Sequence, residues 1–309
     1  MSTSPYVTQP KKLSEAFEEF INYATLERCL EPTTIRWYQT RTKRLFKYLR
    51  YKVLPLTVDT LTTEVLRDFF IDHRHQGNSS RNILNCMQAI KAFCTFLVKR
   101  EYLNTNPFNK LEKPKIKRTL PTFLDEDESR ELLQACINMK TMYKSRRSRD
   151  IAIIAMFLFT GVRRKELLNL KLRDLNLTQG YIRVSAKNKE RLIPLNETAL
   201  DFLKDYLKVR PNRTVDNIFV STNRKDSPLT EQGLADVFRE LKQRVKFKKK
   251  LSPQILRHTF CTLMLRNGVN LRDIQLLAGH SDISTTAKFY LGCDDKQLKV
   301  AINKHPLNI

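Results

Sequence analysis

Apolar residues recur every three to four positions through the first hundred residues, and this spacing dictates helices packed on helices. Leu13, Ala16, Phe17, Phe20, Ile21 and Ala24 fall on one helical face. Pro32 suits the first position of a second helix, whose apolar side carries Ile35, Tyr38, Leu45, Phe46 and Leu49. Thr62 can cap a short third helix bearing Val65, Leu66, Phe69 and Phe70. Gly77-Asn78-Ser79 interrupts the pattern, and a fourth helix runs through Ile83, Met87, Ile90, Cys94 and Leu97. The expectation is a small bundle with basic outer faces. His73 and His75 flank an arginine in what reads as a solvated loop and not as a pair of metal ligands.

The helical pattern stops at Asn106-Pro107. Lys113-Pro114-Lys115-Ile116-Lys117-Arg118 is basic and interrupted by proline, which disfavours helix. We divide the chain into a tail (1–10), a helical domain (11–112), a linker (113–121) and a second domain (122–309). A chain of 309 residues is long enough to build two cores. The second domain restarts at Asp125-Glu126-Asp127-Glu128. Four acids in a row could bind a metal, but Asp125 as a helix cap with Glu128 completing a capping box is the simpler account. Ile151–Phe159 reads as a buried helix. Leu172–Leu175, Tyr181–Val184 and Arg191–Pro194 read as short strands, followed by helices near 199–208, 230–245, 253–267, 270–277 and 283–290. The fold class is mainly α with a small antiparallel β-sheet.

Charge narrows the function. Fifty-six Lys and Arg against thirty-two Asp and Glu give a net charge of +24, an excess that a fold does not need and that costs self-repulsion. It points to a polyanion, with nucleic acid first and a membrane surface second. No run of about eighteen apolar residues offers a membrane span. Met1 to Pro10 is polar, unlike a signal peptide. Six scattered cysteines without a C-x-x-C read as reduced thiols of a cytosolic or nuclear protein. No glycine-rich phosphate loop is present, so nucleotide hydrolysis is not expected, nor is any cofactor or metal.

Four short segments carry the chemistry. In Thr160-Gly161-Val162-Arg163, the glycine lets the chain turn and Arg163 opens the next helix, where its guanidinium can grip two phosphate oxygens. Gly180 to Leu195 reads as a hairpin, tipped by Ala186 to Arg191, whose Lys187 can enter a groove and donate a proton. In Leu256-Arg257-His258-Thr259-Phe260 the adjacent Arg257 and His258 do not share a helical face, so Arg257 can meet a phosphate while His258 packs inward. Leu277-Ala278-Gly279-His280 is followed by a candidate helix ending near Tyr290. Taken singly, each has an ordinary alternative: an arginine paired with a surface acid, a basic hairpin, a buried histidine, a half-buried tyrosine. The basic run Lys246-Phe247-Lys248-Lys249-Lys250 is equally a solvated loop or a set of phosphate contacts.

In this order the segments resemble the tyrosine recombinase (phage integrase) family over nearly the whole chain, in its Xer-like form without an arm-binding domain, about ten residues preceding the first helix. The resemblance implies a SAM-like helical core-binding domain and a tyrosine-recombinase catalytic domain. It makes Arg163 and Arg257 the two catalytic arginines, Lys187 the hairpin lysine, His258 and His280 the motif histidines and Tyr290 the nucleophile. It implies metal- and ATP-independent cutting and rejoining of double-stranded DNA through a 3′-phosphotyrosyl intermediate, for integration, excision or dimer resolution, by four protomers on DNA in the cytoplasm. Two positions depart from the family pattern. Gln254 stands where His or Lys is usual, leaving a neutral amide as a possible phosphate contact. The interval from His280 to Tyr290 is one residue longer than the commonest spacing, which would fall on Phe289. An inactive DNA-binding relative and a type IB topoisomerase-like relaxing enzyme are the alternatives.

Overall fold

The computed structural model describes residues 11–116, 121–139, 143–186, 189–222 and 226–280. The chain forms two compact units that divide between Arg118 and Thr119. In the first, α1 (Leu13–Asn22) runs into one π-helical turn, Tyr23–Glu27, and is followed by α2 (Pro32–Tyr51), α3 (Thr63–His75) and α4 (Ser80–Lys99). Thr62 caps α3 by accepting from the Val65 N–H, and Ser79 caps α4 by accepting from the Asn82 N–H. The core is aromatic: Phe17 and Phe20 pack on Phe93, and Phe20 also packs on Phe96. Ile83, Cys86, Met87, Ile90, Phe93, Cys94 and Leu97 give α4 its buried stripe.

One reading of this unit needs correction. His73 and His75 lie in the last turn of α3, not in a loop. His73 is buried, stacks on Phe69, and its carbonyl accepts from the Asn78 side chain at 2.9 Å. Its apolar periodicity with Phe69 and Phe70 outweighed the polar look of the His-Arg-His tripeptide.

The second unit is built around α6 (Lys144–Thr160), which is buried on nearly every side from Arg149 to Leu158. It packs against α5 (Glu126–Ile137), α8 (Glu197–Val209) and α10 (Pro253–Arg266). The capping box of α5 forms as its sequence requires, with Asp125 accepting from the Glu128 N–H and Glu128 from the Asp125 N–H, both at 2.9 Å. A short α7 (Arg164–Asn169) precedes the sheet, and α9 (Glu231–Lys242) and α11 (Leu271–Ala278) complete the described helices. The sheet is antiparallel in the order β1 (Leu175–Asn176), β2 (Tyr181–Ala186), β3 (Lys189–Pro194). Its register pairs Leu175 with Ile182 and Ile182 with Ile193. The expected strand at Leu172 is instead a 3₁₀ turn, Leu172–Asp174, because the Asp174 carboxylate bonds the Lys171 N–H and holds the chain in a turn. None of the described helices is long and apolar enough to cross a membrane.

Candidate active site

Two glycine caps build the site. Gly161 ends α6 in the left-handed conformation (φ +61°) and Gly279 ends α11 in the same way (φ +66°). Each reverses the chain just before a candidate residue, Arg163 in one case and His280 in the other. The two turns face each other through arginines. Arg163 donates Nη2–H to the carbonyl of Gly279, while Arg257 on α10 donates to the carbonyls of Gly161 and Ala278. Arg163, Arg257 and His280 therefore converge.

A buried carboxylate that sequence reasoning missed organises this cluster. Glu166, in the first turn of α7, accepts from the Arg163 N–H at 2.8 Å and from Arg163 Nη1 at 2.7 Å. It also accepts two bonds from Arg191 on β3, at 2.8 and 2.9 Å. Burial by itself would raise its pKa, but the bonds from Arg191 and the Arg163 backbone prevail and hold it down to about 2. The acid that pairs with Arg163 is thus an internal one. The signal was present in Arg163-Arg164-Lys165-Glu166, whose spacing from a helix start fits a capping box.

The histidines are kept neutral. His280 follows Gly279, and burial together with the charges of Arg257, Arg163, His258 and Arg191 pushes its pKa down to about 4. The His258 pKa is lowered by burial and by Arg257, against a raising hydrogen bond with the Thr122 backbone. Burial and the nearby Arg163 lower the Arg257 guanidinium to about 10, which leaves it charged at neutral pH. The expectation that His258 packs inward is met only in part. Arg257 is the buried side chain and His258 is half-buried, because only an inward guanidinium reaches both glycine turns. Gln254 is exposed in the first turn of α10. Lys187 and Tyr290 lie outside the described residues, as do Phe289, the helix expected at 283–290 and the segment from Asp294 to Ile309. In the basic run, Lys249 is an internal tie, bonding Glu128 at 2.5 Å.

The second unit thus gathers guanidinium and imidazole groups on a helix end, a set of cations and donors suited to phosphate oxygens. Comparison with known proteins gives the family. Residues 122–297 match the model of the phage integrase family, and residues 17–101 match its N-terminal SAM-like domain. A tyrosine recombinase XerD of Staphylococcus haemolyticus is 32% identical over 94% of this chain and 98% of its own length. The crystal structure of XerA recombinase shares 28% identity, covers 95% of this chain and 98% of its own, and superposes with a TM-score of 0.51. The Tn1549 transposon integrase bound to a circular intermediate DNA shares the fold, with a TM-score of 0.76 at 18% identity over 96% of this chain and all of its own. The chain belongs to the phage integrase family, the tyrosine site-specific recombinases.

Proposed function

We propose that this recombinase cuts and rejoins duplex DNA with Tyr290 as nucleophile, at a scissile phosphate held by Arg163 and Arg257. The observation that carries this reading is the convergence of those two guanidiniums beside His280. Each arginine has five N–H donors and, among the described residues, two engaged side-chain nitrogens, so donors remain for phosphate oxygens. Attack of the Tyr290 oxygen on phosphorus forms the 3′-phosphotyrosyl bond and breaks the bond to the 5′ oxygen, which takes a proton from Lys187. The tyrosyl proton passes to His258 or to water, and His280 donates a hydrogen bond to a phosphate oxygen. Neutral imidazoles suit both roles, since each retains one N–H and one acceptor nitrogen. The arginines offset the charge that builds on the non-bridging oxygens. Attack by the 5′ hydroxyl of another strand reverses these steps and completes the transfer.

Recombination requires two duplexes, each cut on both strands, so four protomers assemble on DNA. An apolar groove of about 610 Å³ in the second unit, lined among others by Leu133, Phe159, Phe260, Met264 and Leu277, suits the Asp294–Ile309 segment of a neighbouring protomer. The chain works in the cytoplasm on the nucleoid. Trapping with a nicked suicide substrate tests the central step. Tyr290→Phe retains DNA binding and forms no covalent adduct, and an adduct formed by Tyr290→Phe would reject the nucleophile.

A further inference from the structure

Strand β3 inverts the usual pattern of a one-sided sheet. Alternation puts Arg191 on the same face as Ile193 and puts Leu192 on the other. Ile193 is buried and Leu192 is 56% exposed, so the apolar residue points outward and the cation inward. Arg191 pairs in register with Val184, which is buried too. An inward cation is costly unless it is paired. Arg191 engages all three of its nitrogens: Nη1 and Nη2 bind the two oxygens of Glu166, and Nε donates to the Leu277 carbonyl at 3.0 Å.

This completes a series on α11. Arg191, Arg257 and Arg163 bind the carbonyls of Leu277, Ala278 and Gly279, three successive groups at the helix C-terminus, where cations are favoured. Gly279 makes the space. A Cβ there would lie 2.7 Å from the Arg191 guanidinium carbon.

We propose that Arg191 is a positioning residue that clamps the β2–β3 hairpin, and with it Lys187, to the Glu166–Arg163 pair and to the helix end that leads into His280. The inference rests on the reading of Lys187 as the proton donor. Lys187 stands four residues before Arg191 in the chain, at most about 14 Å of extended backbone, so fixing Arg191 limits where Lys187 can reach.

A substrate with sulfur in place of the 5′-bridging oxygen tests the clamp, because a thiolate leaves without needing a proton, thiols being far more acidic than alcohols. Single-turnover cleavage is measured for Arg191→Lys, Arg191→Met and the reference Lys187→Ala on oxygen and sulfur substrates, with DNA affinity measured alongside. Arg191→Lys keeps the charge but loses the two-pronged fork, and it carries the test if Arg191→Met does not fold. The Arg191 variants should cleave the oxygen substrate about ten- to a hundredfold slower, bind DNA within about twofold of wild type, and recover to within about threefold on sulfur. Rescue of Lys187→Ala alone would overturn the role of Arg191, as would an oxygen-substrate rate within about twofold of wild type. Lack of rescue in Lys187→Ala would instead overturn the reading of Lys187 itself, and the clamp with it.

Discussion

Glu166 carries more of this site than any other single residue. Its carboxyl titrates near 2 in the fold against an ordinary 4.5, so between those values the unfolded chain binds the extra proton. Its contribution to stability is therefore full above about pH 4.5 and is lost as pH falls toward 2. Glu166→Gln should destabilise the protein by about 3 kcal/mol at neutral pH and flatten the acid limb of the stability profile, measured as urea midpoints against pH. An unchanged acid limb would show that other carboxylates govern it. Gln254 presents the opposite case. Ser252, not Gln254, caps α10 by accepting from the Ile255 N–H, so capping does not account for the glutamine. If its exposed amide contacts a phosphate, as the proposed function would have it, Gln254→Ala should slow single-turnover cleavage about ten- to a hundredfold while leaving the melting temperature unchanged. A rate within about twofold of wild type would remove it from the site.

At the level of elements, the two glycine-capped helix ends decide whether the arginines meet. A Cβ at Gly161 would run into the Phe260 ring, and its positive φ disfavours any side chain. Gly161→Ala should lower stability by about 2–4 kcal/mol, combining left-handed strain with overpacking, and should reduce cleavage beyond what the lost stability explains, because the Gly161 carbonyl orients Arg257. Denaturant unfolding together with cleavage at a temperature where the variant is fully folded measures the two effects separately. Helices α2, α3 and α4 and the α5 capping box were legible in the sequence because caps and periodicity are local signals. The turn at Leu172 was not, since a side chain to backbone bond from Asp174 competes with the strand pattern. Nor was the inward Arg191, which a rule of apolar inside and polar outside places on the wrong face.

For the whole molecule, the +24 charge suits a protein that binds DNA through its phosphates. Assembly tests the proposed tetramer. Deleting residues 295–309 should leave single-site binding within about threefold and weaken cooperative synapsis by at least tenfold, read from band shifts with one and with two sites. Equal loss in both assays would give the segment a role in folding the monomer instead.

The sequence by itself determined the helical first unit, the excess of positive charge and the order of motif residues, since periodicity, charge and motif spacing are properties of the linear chain. Only the tertiary structure decided that Arg257 points inward, that Glu166 joins Arg163 to Arg191, and that three arginines close on one helix end. Apart from the local Glu166–Arg163 contact, those pairings link residues 21 to 116 positions apart, and the ones to Gly161, Leu277, Ala278 and Gly279 are set by which backbone carbonyls are left without helical partners when α6 and α11 end.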